Sequence, residues 1–272
     1  MTTRRKFIRD IGFSAALIIA GKPRILSAAE WIRMKQPPLL RFAVASDPHY
    51  GQPRTEYDAM INTVISQINF AHQTLPLDFC VFNGDLIHNE KPFLPQVQQQ
   101  LKKLTMPLYV TRGNHDMVTA AEWESVMGMP LNHDIIIKEF GIILGDTSNE
   151  KGTYLPADLN WLKATLEKHK ARKNCFLFLH IPQVKWTVNG VDNPAFFPLI
   201  DQYPNLKAVF HGHEHDQDSF RMHKQIPFFF DAHVGGNWGT AYKGFRVVEL
   251  LNDGTLLTYM MNPSEKMIEQ RF

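Results

Sequence analysis

The sequence predicts an α/β sandwich, with mixed sheets flanked by helices, formed by one domain over residues 30–272. Three observations lead there. In the first half, short apolar runs of strand length alternate with segments whose apolar residues repeat at the helical period. In the second half, hairpin patterns dominate. Between them, polar motifs rich in His, Asp and Asn each follow directly on an apolar run.

The elements can be taken in order. Runs 39–46, 79–83, 108–111, 175–179, 208–210 and 227–231 have the length and apolar density of buried strands. Residues 135–140 and 142–144 read as a hairpin turning near Gly141, and 245–251 with 256–261 as another turning at Asn252-Asp253-Gly254. Ile61, Val64, Ile65 and Ile68 fall on one helical face. Leu155, Leu159, Leu162 and Leu166 do the same, with Pro156 placed for a helix start.

Composition narrows the class. The chain of 272 residues is 44% hydrophobic and 21% charged, enough to bury a sizeable core. A net charge of +2 gives no electrostatic footprint for an extended nucleic-acid partner. Cys80 and Cys175 lie in apolar runs, as two buried thiols or as a disulfide.

The N-terminus has its own logic. Arg4, Arg5, Lys6 and Arg9 precede an apolar stretch over 11–20, and small residues follow at Ser27, Ala28 and Ala29. A basic head, short apolar body and small-residue end have the layout of a signal peptide. Ten apolar residues are too few to span a bilayer. The paired arginines followed by Phe7 and Ile8 resemble a twin-arginine export signal over 1–29, so a periplasmic or extracellular location is expected, with no membrane span after cleavage. Six basic residues and one acidic residue lie in that segment, so the remainder carries 23 basic and 26 acidic residues, a net charge of −3.

Five of the 12 His stand in the polar motifs. These are Asp47-Pro48-His49 after 39–46, Gly84-Asp85 after 79–83, Gly113-Asn114-His115-Asp116 after 108–111, His180 after 175–179, and Gly212-His213-Glu214-His215 after 208–210. Singly, each reads equally well as a turn or a polar strand end. Their order and shared placement carry the signal, because ligands of α/β sheets bind at the carboxyl ends of strands. His and carboxylate donors in number suit Zn, Mn or Fe better than Ca.

The ordered set D-x-H, G-D, G-N-H-D, H, G-H-x-H resembles the calcineurin-like metallophosphoesterase family, and every metal-ligand position of that pattern is filled. The resemblance implies a four-layer α/β/β/α sandwich. It implies one metal held by Asp47, His49, Asp85 and His215 and a second by Asp85, Asn114, His180 and His213, with Asp85 bridging. It further implies in-line attack on phosphorus by a metal-bridging hydroxide, with His115 protonating the leaving oxygen. Asp116, next to His115, is expected to orient it.

Other residues are expected near the site. His88 and Asn89 would line the pocket, and His211 would hold a ligand by a hydrogen bond. Asn237 and Trp238, with Asp231 and His233, are candidates for substrate contact or for a structural turn. The weakly periodic stretch 183–195 is expected at the pocket mouth, and His72, His133, His169 and His223 away from it. The segment 155–166 followed by 175–182 is similar to the cyclic-nucleotide phosphodiesterase branch. The expected partner is a small phosphodiester or phosphomonoester. A metal-binding surface protein without catalysis, and a nuclease or phosphoprotein phosphatase on the same centre, are the alternatives. The sequence sets no oligomeric state.

Overall fold

The computed structural model describes residues 16–19, 22–25, 36–262 and 265–272. The signal expected over 1–29 lies outside them, except that Ala16–Ile19 pairs antiparallel with Lys22–Ile25. Among the described residues no helix is long and apolar enough to cross a membrane.

Twelve further strands form two mixed sheets of six. The chain runs β1 (Leu40–Ala45), α1 (Tyr57–Thr74), β2 (Phe79–Asn83), α2 (Phe93–Leu101), β3 (Leu108–Thr111), a 3₁₀ turn at Asn114–Asp116, and α3 (Ala120–Met127). It continues through β4 (His133–Ile137), β5 (Phe140–Gly145), α4 (Leu159–His169), β6 (Cys175–Leu179), α5 (Phe196–Ile200) and β7 (Leu206–His211). It ends with β8 (Phe220–His223), β9 (Ile226–Phe230), β10 (Phe245–Leu250), β11 (Leu256–Asn262) and β12 (Glu265–Arg271). One sheet is ordered β12-β11-β10-β1-β2-β3 and the other β8-β9-β7-β6-β5-β4. The parallel strands β1, β2 and β3 stand in the first, and β5, β6, β7 and β9 in the second.

Alternation along the strands builds the layers. Phe42 and Val44 of β1 face Phe176, Phe178 and Phe210 of the other sheet, while Ala43 and Ala45 face the helices α1, α2 and α3. Leu177 and Leu179 of β6 turn the other way, onto α4 and α5. The result is the expected α/β/β/α stack. At its centre Phe42 stacks on Phe79 at 4.7 Å and meets Phe176, Phe178 and Phe210 edge-on.

One buried ion pair ties the sheets together. Arg246 of β10 donates through Nε to Asp231, just after β9, and through Nη2 to the Phe230 carbonyl at 3.2 Å. Its guanidinium lies 4.9 Å from the Phe229 ring. Asp231 is thus the partner of a fully buried arginine, which accounts for its place at a strand end.

Two expectations shift, and the choice left open for the cysteines is settled. The first hairpin turns at Lys138 (φ 55) rather than near Gly141. Gly141 lies inside β5, where a Cβ would sit 2.8 Å from His169 Nδ1, so close packing rather than a turn requires glycine there. The helix expected from Leu155 starts at Leu159, because Asp158 caps it by accepting from the Asn160 and Trp161 amides, both at 3.0 Å. Cys80 and Cys175 are both free thiols, buried on opposite outer faces of the two sheets.

Phe42→Ala is expected to destabilise the fold by about 3–5 kcal/mol, the usual cost of emptying a packed aromatic site. Urea unfolding checks it. A loss under about 1 kcal/mol would mean that the sheet interface is not packed as described.

Candidate metal centre

All the polar motifs arrive at one edge of the sandwich, the carboxyl ends of β1, β2, β3, β6 and β7. The chain must turn sharply as each strand ends. Asp47 (φ 57), His49 (φ 45), Asp85 (φ 51) and His213 (φ 67) all take left-handed backbone, which costs a non-glycine residue about 1–2 kcal/mol. Hydrogen bonds between the loops hold these conformations: the Asp47 amide donates to the Gly84 carbonyl at 3.1 Å, and the His49 amide to the Asp85 carbonyl at 3.0 Å. Gly84 (φ 87) lies so close under the His180 ring that any Cβ would overlap it.

Beside a group of three imidazoles, His49, His88 and His115, two clusters that include carboxylates result, each within 4.8 Å: Asp47, His49, Asp85 and His215 in one, and Asp85, His180 and His213 in the other. Asp85 belongs to both. His180 Nε2 lies 3.3 Å and His49 Nε2 3.7 Å from Asp85 Oδ2. His215 Nε2 lies 3.0 Å from Asp47 Oδ1 and 2.9 Å from His49 Nε2. Two imidazole nitrogens facing each other at that distance repel unless a proton or a cation lies between them.

The second cluster makes the same demand. Asn114 Oδ1, His180 Nε2 and His213 Nε2 are buried with no hydrogen-bond partner among the described residues. Buried polar atoms left so are costly, and two of them, on His180 and His213, lie within 4.8 Å of the shared carboxylate. His180 is already fixed from behind: its Nδ1–H donates to the Asn83 carbonyl at 2.7 Å, leaving Nε2 as the free donor atom. The two donor groups that share Asp85 fit a pair of metal ions.

The electrostatics agree. Burial alone raises the Asp85 carboxyl, but His180 and His49 beside it hold it below the usual carboxylate range. Burial alone lowers His180, but Asp85 and Asp47 raise it to about 10. Burial and the nearby His180 push His213 down to about 4, leaving it neutral. The pair of carboxylates therefore draws in positive charge, which a proton supplies when no metal is bound.

Around the clusters the expected residues find specific partners. The His115 backbone amide donates to Asp85 Oδ1 (2.7 Å), and its ring Nδ1–H donates to Asn89 Oδ1 at 2.7 Å. Asp116 does not play the orienting part expected of it. Its two oxygens accept from the Ile87 amide (2.9 Å) and the Gly113 amide (2.7 Å), clamping the loops together. In a 3₁₀ turn, neighbouring side chains point about a third of a turn apart, so residue 116 faces inward while residue 115 faces the cluster. His88 is hydrogen-bonded Nδ1 to Nδ1 with His49 at 3.1 Å and stacks on His115.

Trp238 stacks on His215 at 4.4 Å, and Asn237 Oδ1 accepts from Gln52 at 3.0 Å. His211 binds the Leu179 carbonyl at 2.8 Å rather than a ligand side chain, and His233 is held by the Gly235 and Thr240 carbonyls. The stretch 183–195 does flank the site: Trp186, Thr187, Val188 and Asn189 line a cavity shared with His213 and His215. Sequence reasoning passed over Asn83, whose carbonyl accepts from His180, Ser46, whose hydroxyl donates to Asp47, Tyr154, whose ring meets His213 edge-on at 4.7 Å, and Glu214, which lines the cavity. Asn83 was legible as an amide ending an apolar strand immediately before Gly84-Asp85.

Two sets of donors sharing one carboxylate, at the strand ends of a two-sheet sandwich, define a centre built for two metals. Comparison with known proteins gives the family. The model of the calcineurin-like phosphoesterase family matches residues 40–217, and the chain belongs to that family. It is 27% identical over 191 residues to a probable cyclic nucleotide phosphodiesterase of Ruthia magnifica, covering 66% of this chain and 80% of that one. It is 26% identical over 208 residues to a 3′,5′-cyclic-nucleotide phosphodiesterase of Nostoc sp., covering 67% and 75%. In fold it is similar to a dimetal phosphatase of Danio rerio, with a TM-score of 0.67 at 12% identity over 85% of this chain and 98% of that one.

Metal loading makes a test of the shared carboxylate. After dialysis against Mn²⁺ or Zn²⁺, wild type is expected to retain two equivalents by elemental analysis, His213→Ala one, and Asp85→Ala none. Two equivalents in Asp85→Ala would refute a shared ligand. Because His180, raised to about 10, carries a proton near pH 7 that the metal must displace, loading is expected to release protons, and affinity to fall as pH falls. Calorimetry in buffers of different ionisation enthalpy reads that proton; none released would contradict it.

Proposed function

We propose that the protein is a two-metal phosphodiesterase acting on a small phosphate ester. Asp47, His49, Asp85 and His215 would hold one ion, and Asp85, Asn114, His180 and His213 the other. The observation that carries this reading is the Asp85 carboxylate common to both clusters, beside His180 Nε2 and His213 Nε2, which have no hydrogen-bond partner among the described residues. Mn, Fe or Zn suits such a mixed nitrogen and oxygen set. When bound, the ions supply Lewis acidity and lower the pKa of water, so that a nucleophile for in-line attack on phosphorus exists at neutral pH.

The chain's own residues do the rest. His115 donates a proton to the leaving oxygen. Asn89 accepts from Nδ1 and so aims Nε2 at the ester, which makes Asn89 a positioning residue. Its neutral amide fixes the ring without adding a negative charge beside Asp85. A phosphodiester is favoured over a monoester because a cavity of about 450 Å³ beside His213 and His215 leaves room for a second substituent on phosphorus. The names of the related phosphodiesterases support the same choice. The twin-arginine-like N-terminus supports export of residues 30–272; replacing Arg4 and Arg5 by Lys is expected to keep the protein in the cytoplasm on cell fractionation.

Hydrolysis of bis(p-nitrophenyl) phosphate is expected to exceed that of p-nitrophenyl phosphate, to stop with chelator, and to be lost in Asn114→Ala. No hydrolysis of either ester by protein shown to hold metal would overturn the reading. His115→Ala is expected to keep its metal and lose about 10²–10⁴ in kcat. The loss should be larger for an alkyl leaving group than for p-nitrophenolate, which needs little help from a proton. Equal losses on both would remove His115 from proton donation.

A further inference from the structure

The cavity beside the metal centre contains a carboxylate that neither metal set uses. Glu214 stands between His213 and His215, is 5% exposed and lines the cavity. Its Oε2 accepts from Asn189 Nδ2 at 3.2 Å. Its Oε1 is buried with no hydrogen-bond partner among the described residues. Arg221, on the same wall, donates to the Phe220 carbonyl at 3.1 Å and holds its guanidinium 6.0 Å from the Phe230 ring. Asp216 adds a second acid, and Trp186 and Trp238 supply indole surfaces.

A buried carboxylate with an unpartnered oxygen calls for a donor that is also positive, and indole faces favour cations. A nucleobase would stack on the indoles but bring only neutral donors and leave the charge uncompensated. A trimethylammonium group would bring charge but no N–H. A primary ammonium brings both.

Resting on the phosphodiesterase reading above, we propose that this cavity is a subsite for a primary ammonium carried on one substituent of the phosphodiester, with Glu214 as its specificity-determining residue. The substrate class is then an aminoalkyl phosphodiester. In its hydrolysis the water oxygen bonds to phosphorus, the P–O bond to the other alcohol breaks, and the water's proton balances that alkoxide.

A matched pair of esters tests this, 2-aminoethyl p-nitrophenyl phosphate and n-propyl p-nitrophenyl phosphate, which differ by an ammonium in place of a methyl. Metal-loaded wild type is expected to favour the aminoethyl ester about tenfold or more in kcat/KM, and Glu214→Gln to reduce that preference to about threefold or less. The ratio is read within each protein, so a general loss of activity does not affect it. Equal kcat/KM for the two esters in wild type, or an unchanged ratio in Glu214→Gln, overturns the proposal. So does faster turnover of the p-nitrophenyl ester of thymidine 5′-phosphate than of the aminoethyl ester. Should Glu214→Gln fail to fold by circular dichroism, the wild-type ratio still decides. Should neither ester be hydrolysed, the phosphodiesterase reading falls, and calorimetric binding of O-phosphoethanolamine against propyl phosphate decides the subsite alone: tighter binding of the former supports it, equal binding overturns it. Turnover of glycerophosphoethanolamine against that of phosphatidylethanolamine vesicles tells a free source of this group from a membrane-held one.

Discussion

Asp85 leaves β2 in a left-handed turn and sets one carboxylate among imidazoles delivered by β1, β6 and β7. That crowding is unfavourable for a bare protein. Burial opposes the charge on Asp85 and Asp47, two imidazole nitrogens face one another, and His180 Nε2 and His213 Nε2 lack hydrogen-bond partners among the described residues. The arrangement becomes favourable once cations fill it, so the stability of this edge and its chemistry are one problem. Metal binding stabilises such a fold by mass action, since the unfolded chain cannot assemble the donors.

What resists the strain is the body of the sandwich. Two six-stranded sheets packed through a shared aromatic layer fix where each strand ends, and loop-to-loop hydrogen bonds set the backbone beyond. Interiors packed to that density shift little, so Asp47, His49, Asp85 and His213 can be held at positive φ. Asn83 shows how closely support and site are joined. Its carbonyl accepts from His180, while its side chain accepts from Thr111 and donates to the Phe210 carbonyl across the sheet interface. Asp116 serves similarly, tying the loop after β2 to the loop after β3.

The ring of residues around the metals divides by charge. Near Asp85 the partners of His115 and His49 are an amide and a neutral imidazole, Asn89 and His88. Burial and the neighbouring His49 push His88 down to about 4, so it stays uncharged beside its partner. Across the site, beyond His215, the carboxylate of Glu214 faces the cavity. The ring partners of His115 and His49 on that side are thus neutral, while the carboxylate of Glu214 lines the cavity.

The sequence by itself determined the fold class, the strand ends and the donor types. These are written in local pattern: Phe42 and Val44 alternate with Ala43 and Ala45, and a polar motif follows each apolar run. It could not say which neighbour a side chain meets. Asp116 was adjacent to His115 in the chain, yet Asn89, 26 residues away, holds that ring, because a 3₁₀ turn splays successive side chains. Gly141 carried the mark of a turn, yet its place is set by His169 and Cys175 pressing on β5. Glu214 held the unassigned position of G-H-x-H, and only the packing of the loop over 183–195 against it revealed a buried carboxylate with an oxygen unpartnered among the described residues. Periodicity fixes which face of an element is buried. The pairing of polar atoms across loops depends on angles and distances of a few ångströms, and those exist only once the sheets have packed.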